Sequence, residues 1–247
     1  MIVSAAVCPH PPLLVPAMAG GAAPELDGLR AACDEAVGRL AAARPDVLVV
    51  VGGAPDTAAY GDGAYATLRP YGLPWTSPEV PEEGGAPLPL SLTIGRWLVE
   101  RAAGTDARGT EAGGTDARVR YRSVVFDAPP GECLALGREL AGSAERVALL
   151  VMGDGSACRS EKAPGYLDER AGPYDEAVAR ALGKADAAAL AALDPGTSRE
   201  LRAAGRAAWQ VLAGAAAAGR FTGELLADEA PYGVGYLVAS WTAAPGR

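Results

Sequence analysis

A three-layer α/β fold, with a central and mostly parallel sheet flanked by helices on both faces, is what this chain of 247 residues predicts. Three short runs are apolar almost throughout: Ile2 to Val7, Val47 to Val51 and Val147 to Met152. Strands that read this way are covered on both faces, as parallel strands in layered α/β proteins are. Stretches with helical spacing lie between them, and strands alternating with helices imply layers. No linker composition divides the chain, so residues 1–247 read as one domain.

The elements follow in order. After the first strand, Cys8-Pro9-His10-Pro11-Pro12 is a stiff turn, because its prolines fix φ and stop helix and sheet alike. Pro24 to Arg44 then reads as a helix with Leu26, Leu29, Cys33, Val37 and Leu40 on one face. Pro24 suits its first turn and Pro45 ends it. The second strand runs into Gly52-Gly53-Ala54-Pro55-Asp56. Residues 60–89 are rich in Gly, Pro, Tyr and Glu without periodicity, which predicts a long irregular excursion. Leu90, Ile94 and Leu98 mark a short helix. The repeat of Gly-Thr-Asp-Ala-Arg at 104–108 and 114–118 makes 103–118 a low-complexity loop. Val119 to Phe126 predicts a strand and Gly131 to Ala144 a helix. The loop after the strand 147–152 is Gly153-Asp154-Gly155-Ser156-Ala157. Tyr174 to Leu193 and Ser198 to Ala218 read as long helices broken at Asp194-Pro195-Gly196, with Thr197 or Ser198 capping the second. Residues 229–238 read as a loop entering a final strand.

Composition excludes several roles. Hydrophobic residues make up 49% and charged residues 21%, as in soluble globular proteins. Lysine occurs only at Lys162 and Lys184, and the Ala, Gly and Arg bias suggests a GC-rich genome. The net charge of −8 and the lack of a basic patch argue against nucleic acid or an anionic membrane as partner. No run approaches the ~18 apolar residues of a membrane span, and Met1 to Val7 lacks the basic start of a signal peptide. Four cysteines without CxxC spacing predict reduced thiols in a cytoplasmic protein. The absence of GxGxxG after Val51 argues against NAD.

His10 is the only histidine, held just beyond the carboxyl end of the first strand, where open α/β sheets place ligands. Cys8, two positions away, is on spacing alone a candidate nucleophile partner. Two more strands end in polar loops, with Asp56 in one and Asp154 and Ser156 in the other, and a fourth loop carries Glu229. If these ends share a rim, one imidazole and three carboxylates offer a metal or acid-base site; carboxylates in such loops also serve as helix caps.

Pro9-His10-Pro11-Pro12 followed by Leu-Leu-Val-Pro resembles the opening motif of the LigB-type class III extradiol dioxygenase superfamily, which includes the Memo-like proteins and many bacterial members. The likeness runs in order to about residue 240. It implies a LigB-like fold and an Fe(II) ligand at His10. Asp56 falls where the family has its second iron-binding histidine. Gly153-Asp154-Gly155-Ser156-Ala157 is similar to the family's Gly-Asp-x-Ser-His loop, with Ala157 where the acid-base histidine stands. Glu229 falls near the carboxylate ligand, and Gly172-Pro173-Tyr174-Asp175 resembles the Pro-Phe-Asp of a late helix.

What the resemblance implies for activity is set by the departures. Iron in oxygenases of this kind is held by two histidines and one carboxylate. A His10, Asp56 and Glu229 set would favour a harder divalent ion such as Mn, Mg or Ca. Loss of the acid-base imidazole removes a contribution of roughly 10²–10⁴-fold in rate. The expectation is therefore a diverged protein without ring cleavage that binds a small molecule, or weakly a divalent metal, in the ancestral cleft. An active metal-dependent dioxygenase or other metalloenzyme, with Fe(II) or Mn, is the alternative. A protein-interaction role of residues 60–89 is a second, and the sequence leaves a homo-oligomer open.

Overall fold

The structure is a computed structural model and describes residues 1–104 and 117–244. β1 (Ile2–Cys8) leads through a 3-10 turn at Pro12–Leu14 into the single turn α1 (Pro16–Ala19), a second 3-10 stretch and α2 (Asp27–Ala42). β2 (Val47–Ala54) and β3 (Ala58–Tyr60) follow, then the two-residue strands β4 (Ala66–Thr67) and β5 (Thr76–Ser77), and α3 (Leu90–Gly104). After β6 (Arg118–Val125), α4 (Pro130–Ala141) and β7 (Val147–Met152) come four helices. These are α5 (Ala171–Gly183), α6 (Ala187–Ala191), α7 (Pro195–Glu200) and α8 (Arg206–Ala216). β8 (Phe221–Glu229) and β9 (Tyr236–Ala243) close the described chain.

Seven strands form one mixed sheet in the order β3-β6-β2-β7-β1-β9-β8. β6, β2, β7 and β1 are parallel, while β3, β9 and β8 run antiparallel to their neighbours. The three apolar runs are thus interior and adjacent, as their unbroken apolar character predicts. Successive side chains alternate faces. Val7, Val49, Val51, Leu149 and Val151 point to the side covered by α5 and α8. Ala6, Cys8, Leu48, Val50, Leu150 and Met152 point to α2 and α3. This makes the three layers. No helix of the described residues is long and apolar enough to cross a membrane.

Several expectations need correction. The helical stretch 174–193 breaks at Ala185, which takes φ of 51°, and 198–218 breaks at Arg202, with φ of 53°. Both stretches are rich in alanine, which favours helix, so the breaks come from tertiary packing and from the caps. Asp186 caps α6 and Asp194 caps α7, each accepting the amide three residues on. Asp194, not Thr197 or Ser198, is therefore the cap, and Thr197 Oγ1 donates to it at 2.8 Å. β8 is an edge strand with Glu224, Asp228 and Glu229 along it, and those charges mask its alternation. Glu229 accordingly ends a strand instead of opening one. Residues 60–89 are irregular apart from Tyr60 at the end of β3, the β4–β5 pair, a single bridge between Tyr65 and Pro87 and a 3-10 turn. The low-complexity loop 103–118 lies mostly outside the described residues.

Candidate functional site

The register of the parallel strands builds the site. β1 pairs with β7 so that Cys8 faces Met152, and the Gly153 amide extends the ladder by donating to the Cys8 carbonyl at 2.9 Å. Two residues further on, His10 and Asp154 meet. The His10 amide donates to Asp154 Oδ1 at 2.7 Å, and its Nδ1 lies 3.5 Å from the same oxygen. That is too long for a good hydrogen bond, and Nδ1 is buried without a partner among the described residues. His10 itself is only 6% exposed. The prolines around it explain how it is held, since Leu14 and Val15 amides donate back to the Pro11 and Pro12 carbonyls at 3.0 Å.

On the other side, β9 runs antiparallel to β1 with Val7 opposite Ala239, so the same register continued sets Tyr236 level with His10. Burial, and then the Asp154 charge, push the Tyr236 phenol up, so it stays protonated. His10, Asp154 and Tyr236 thus offer an imidazole, a carboxylate and a phenol at one sheet edge. An imidazole beside a carboxylate can accept a proton or hold a polar ligand.

Ser156 is buried and fully engaged with α5. Its amide donates to Asp175 Oδ1 and its Oγ to Asp175 Oδ2, each at 2.7 Å, and Arg159 Nη1 donates to Oδ2 at 3.2 Å. Burial pushes the Asp175 carboxyl up, against the lowering effect of these three donors. Ser156 thus positions the Asp154 loop. Asp175 is the anchor that sequence reasoning left without a role. Its signal was a carboxylate inside the buried stripe Ala171, Asp175, Val178 and Leu182, at helical spacing.

Asp56 and Glu229 do not gather with His10 into one three-residue cluster. Asp56 is exposed beyond β2, where its carbonyl accepts from Ser123 Oγ at 2.6 Å. Glu229 pairs with Tyr236 across β8 and β9, and its carboxylate lies towards Gly28 of α2. Strand order is the reason. β2 and β8 are four inter-strand spacings apart, roughly 19 Å at ~4.8 Å each. Among the described residues no group of three or more His, Cys, Asp or Glu side chains could hold a metal ion. The donor set that the dioxygenase resemblance implies for Fe(II) is therefore not assembled. Ala157 presents a methyl group, and its backbone amide donates to the Leu201 carbonyl at 2.9 Å.

Cys8 is fully buried against α2. A hydrogen bond with Cys8, together with burial, pushes the Cys33 thiol well up, so this pair belongs to the core. All four cysteines are free and buried.

No protein-family model matches the chain, and no curated protein matches it. Among solved structures, it is similar to the crystal structure of uncharacterized protein JW3007 from Escherichia coli K12. The two are 15% identical with a TM-score of 0.48, over 97% of this chain and 99% of that one.

Proposed function

We propose that this chain is a diverged LigB-like protein that binds a small molecule at the carboxyl edge of its sheet and does not cleave aromatic rings. One observation carries the reading. Among the described residues, His10 is buried with an unpartnered Nδ1 beside Asp154, while Asp56 and Glu229 stand too far apart to complete a ligand set. A buried polar atom without a partner is costly, and a ligand that pairs with it removes that cost. The motif around His10 supports descent from the dioxygenases. Asp56 and Ala157, in the places of the second ligand and the proton shuttle, support loss of their chemistry.

Protein purified without chelator should carry clearly less than one iron per chain by elemental analysis. It should give no ring-fission product from catechol-type substrates, even with Fe(II) added under reducing conditions. Stoichiometric iron that is lost on His10→Ala, with a yellow product that the same change abolishes, would sink this reading and make the chain a metalloenzyme.

A further inference from the structure

We propose that the cavity between the β6–α4 corner and the start of α8 binds a small organic anion. Arg202 and Arg206 hold its oxyanion, and its apolar part rests on Phe126. The cavity does not include His10, and the inference goes beyond the reading proposed for that residue.

The cavity measures about 290 Å³, at the small end of ligand pockets. Arg199, Arg202 and Arg206 line it, with Phe126, Ser198 and one acid, Asp127. That acid is already taken, since Arg199 Nε donates to Asp127 Oδ1 at 3.0 Å. Among the described residues the other two guanidiniums therefore have no ion-pair partner.

Arg206 is the decisive one. It is 2% exposed, and its hydrogen-bond acceptors are all neutral. Nη1 donates to the Ala128 carbonyl at 2.6 Å and to Gln210 Oε1 at 3.0 Å, and Nη2 donates to the Phe126 carbonyl at 2.5 Å. Among the described residues it forms no ion pair. A buried cation with only neutral acceptors is retained at a cost, and a bound anion would offset that cost. Arg202 adds a second cation from a backbone in the left-handed region, at φ of 53°, which a non-glycine residue adopts only when its surroundings impose it. Its Nη1 donates to the Pro164 carbonyl at 2.9 Å, another neutral acceptor. In a chain of net charge −8, this cavity is a local concentration of positive charge.

The remaining walls suit an organic anion. Phe126 is 42% exposed, although most large apolar side chains here are buried. The Gly205 amide, between the lining residues Ala204 and Arg206, donates to the Asp154 carbonyl at 2.8 Å, which ties this wall to the loop beside His10. Planar guanidiniums match the fork of a carboxylate or phosphate.

Calorimetric titration with benzoate, inorganic phosphate and benzyl alcohol tests the proposal on the intact chain. Saturable binding of an anion is expected, and none of benzyl alcohol. Preference for benzoate assigns a carboxylate ligand, and preference for phosphate a phosphate-bearing one. Affinity should fall about tenfold or more in Arg206→Gln, as for loss of a charge-assisted bond, and in Arg202→Ala. The second variant alters an exposed residue and keeps the test decisive if the first misfolds. His10→Ala should retain anion binding. No saturable anion binding, or equal binding of benzyl alcohol, overturns the site. Anion binding lost in His10→Ala but kept in both arginine variants would overturn it while leaving the function proposed for the sheet edge standing.

Discussion

Replacing Asp175 with alanine is expected to cost about 3 kcal/mol of stability, from the sum of its broken partners. The carboxylate is fully buried on α5 and holds the loop after β7. Ser156 donates to both of its oxygens, and Arg159 to one. Gly155 and Gly235 pass so close that a Cβ on either would come within 2.7 and 2.5 Å of those oxygens. The same two glycines join the loops directly, since the Gly155 amide donates to the Gly235 carbonyl at 2.7 Å and the Gly235 amide to the Ser156 carbonyl at 2.8 Å. Alanine would leave two buried Ser156 donors without an acceptor, at ~1–3 kcal/mol each. Arg159 is partly exposed and turns to water, so its share is discounted. The unfolding midpoint should fall by about 6–12 °C for a chain of this size. Asp175→Asn keeps the shape and should cost less.

The pH dependence has a definite sign. The folded-state pKa of Asp175 is raised above the ordinary 3.8. Between that value and the raised one the folded chain binds more protons than the unfolded, so stability declines as pH rises. Asp175→Asn should flatten this decline. Denaturant unfolding of the three proteins at two pH values measures both effects. An unchanged midpoint in Asp175→Ala would show that the loop is held by backbone bonds alone.

Much of the fold was legible because it rests on local pattern. Unbroken apolar runs mark interior strands, and β1, β2 and β7 lie side by side. The meeting of His10 with Asp154 follows from parallel register, which a reader of loops at strand ends can anticipate. The distance between Asp56 and Glu229 depends on strand order, and nothing local in either segment encodes that order. β9 inserts beside β1 and carries β8 to the far edge, so the expected cluster separates. The broken helices were hidden by alanine, which favours helix wherever packing does not override it. Arg206 is hidden too, since the alanine-rich sequence places α8 inside one longer helix. A charge followed four residues later by Gln210, in a stretch otherwise apolar, was its only signal.

The pairing of α4 with α8 should tolerate no side chain at its two contact glycines. A Cβ at Gly137 would stand 2.0 Å from the Val211 carbonyl oxygen and 2.6 Å from the Ala215 amide. One at Gly214 would stand 2.2 Å from the Leu134 carbonyl oxygen. Every obstacle is backbone, so no rotamer change relieves it and the helices must separate. Two effects compete in Gly214→Ala. Helix propensity favours alanine by up to about 1 kcal/mol. Overpacking typically costs ~1–3 kcal/mol, and a clash with backbone belongs at the upper end. The net expectation is a loss of about 2 kcal/mol for either single change. The double change should cost less than the sum, because the first separation makes room for the second methyl. Separation also stretches the 2.6 Å bond from Arg206 to Ala128 at the head of α4, so anion binding in the arginine cavity should weaken alongside stability. Chemical denaturation of the two single variants and the double variant decides the matter. A gain of about 1 kcal/mol per alanine would mean that propensity wins and that the close approach is not needed for packing.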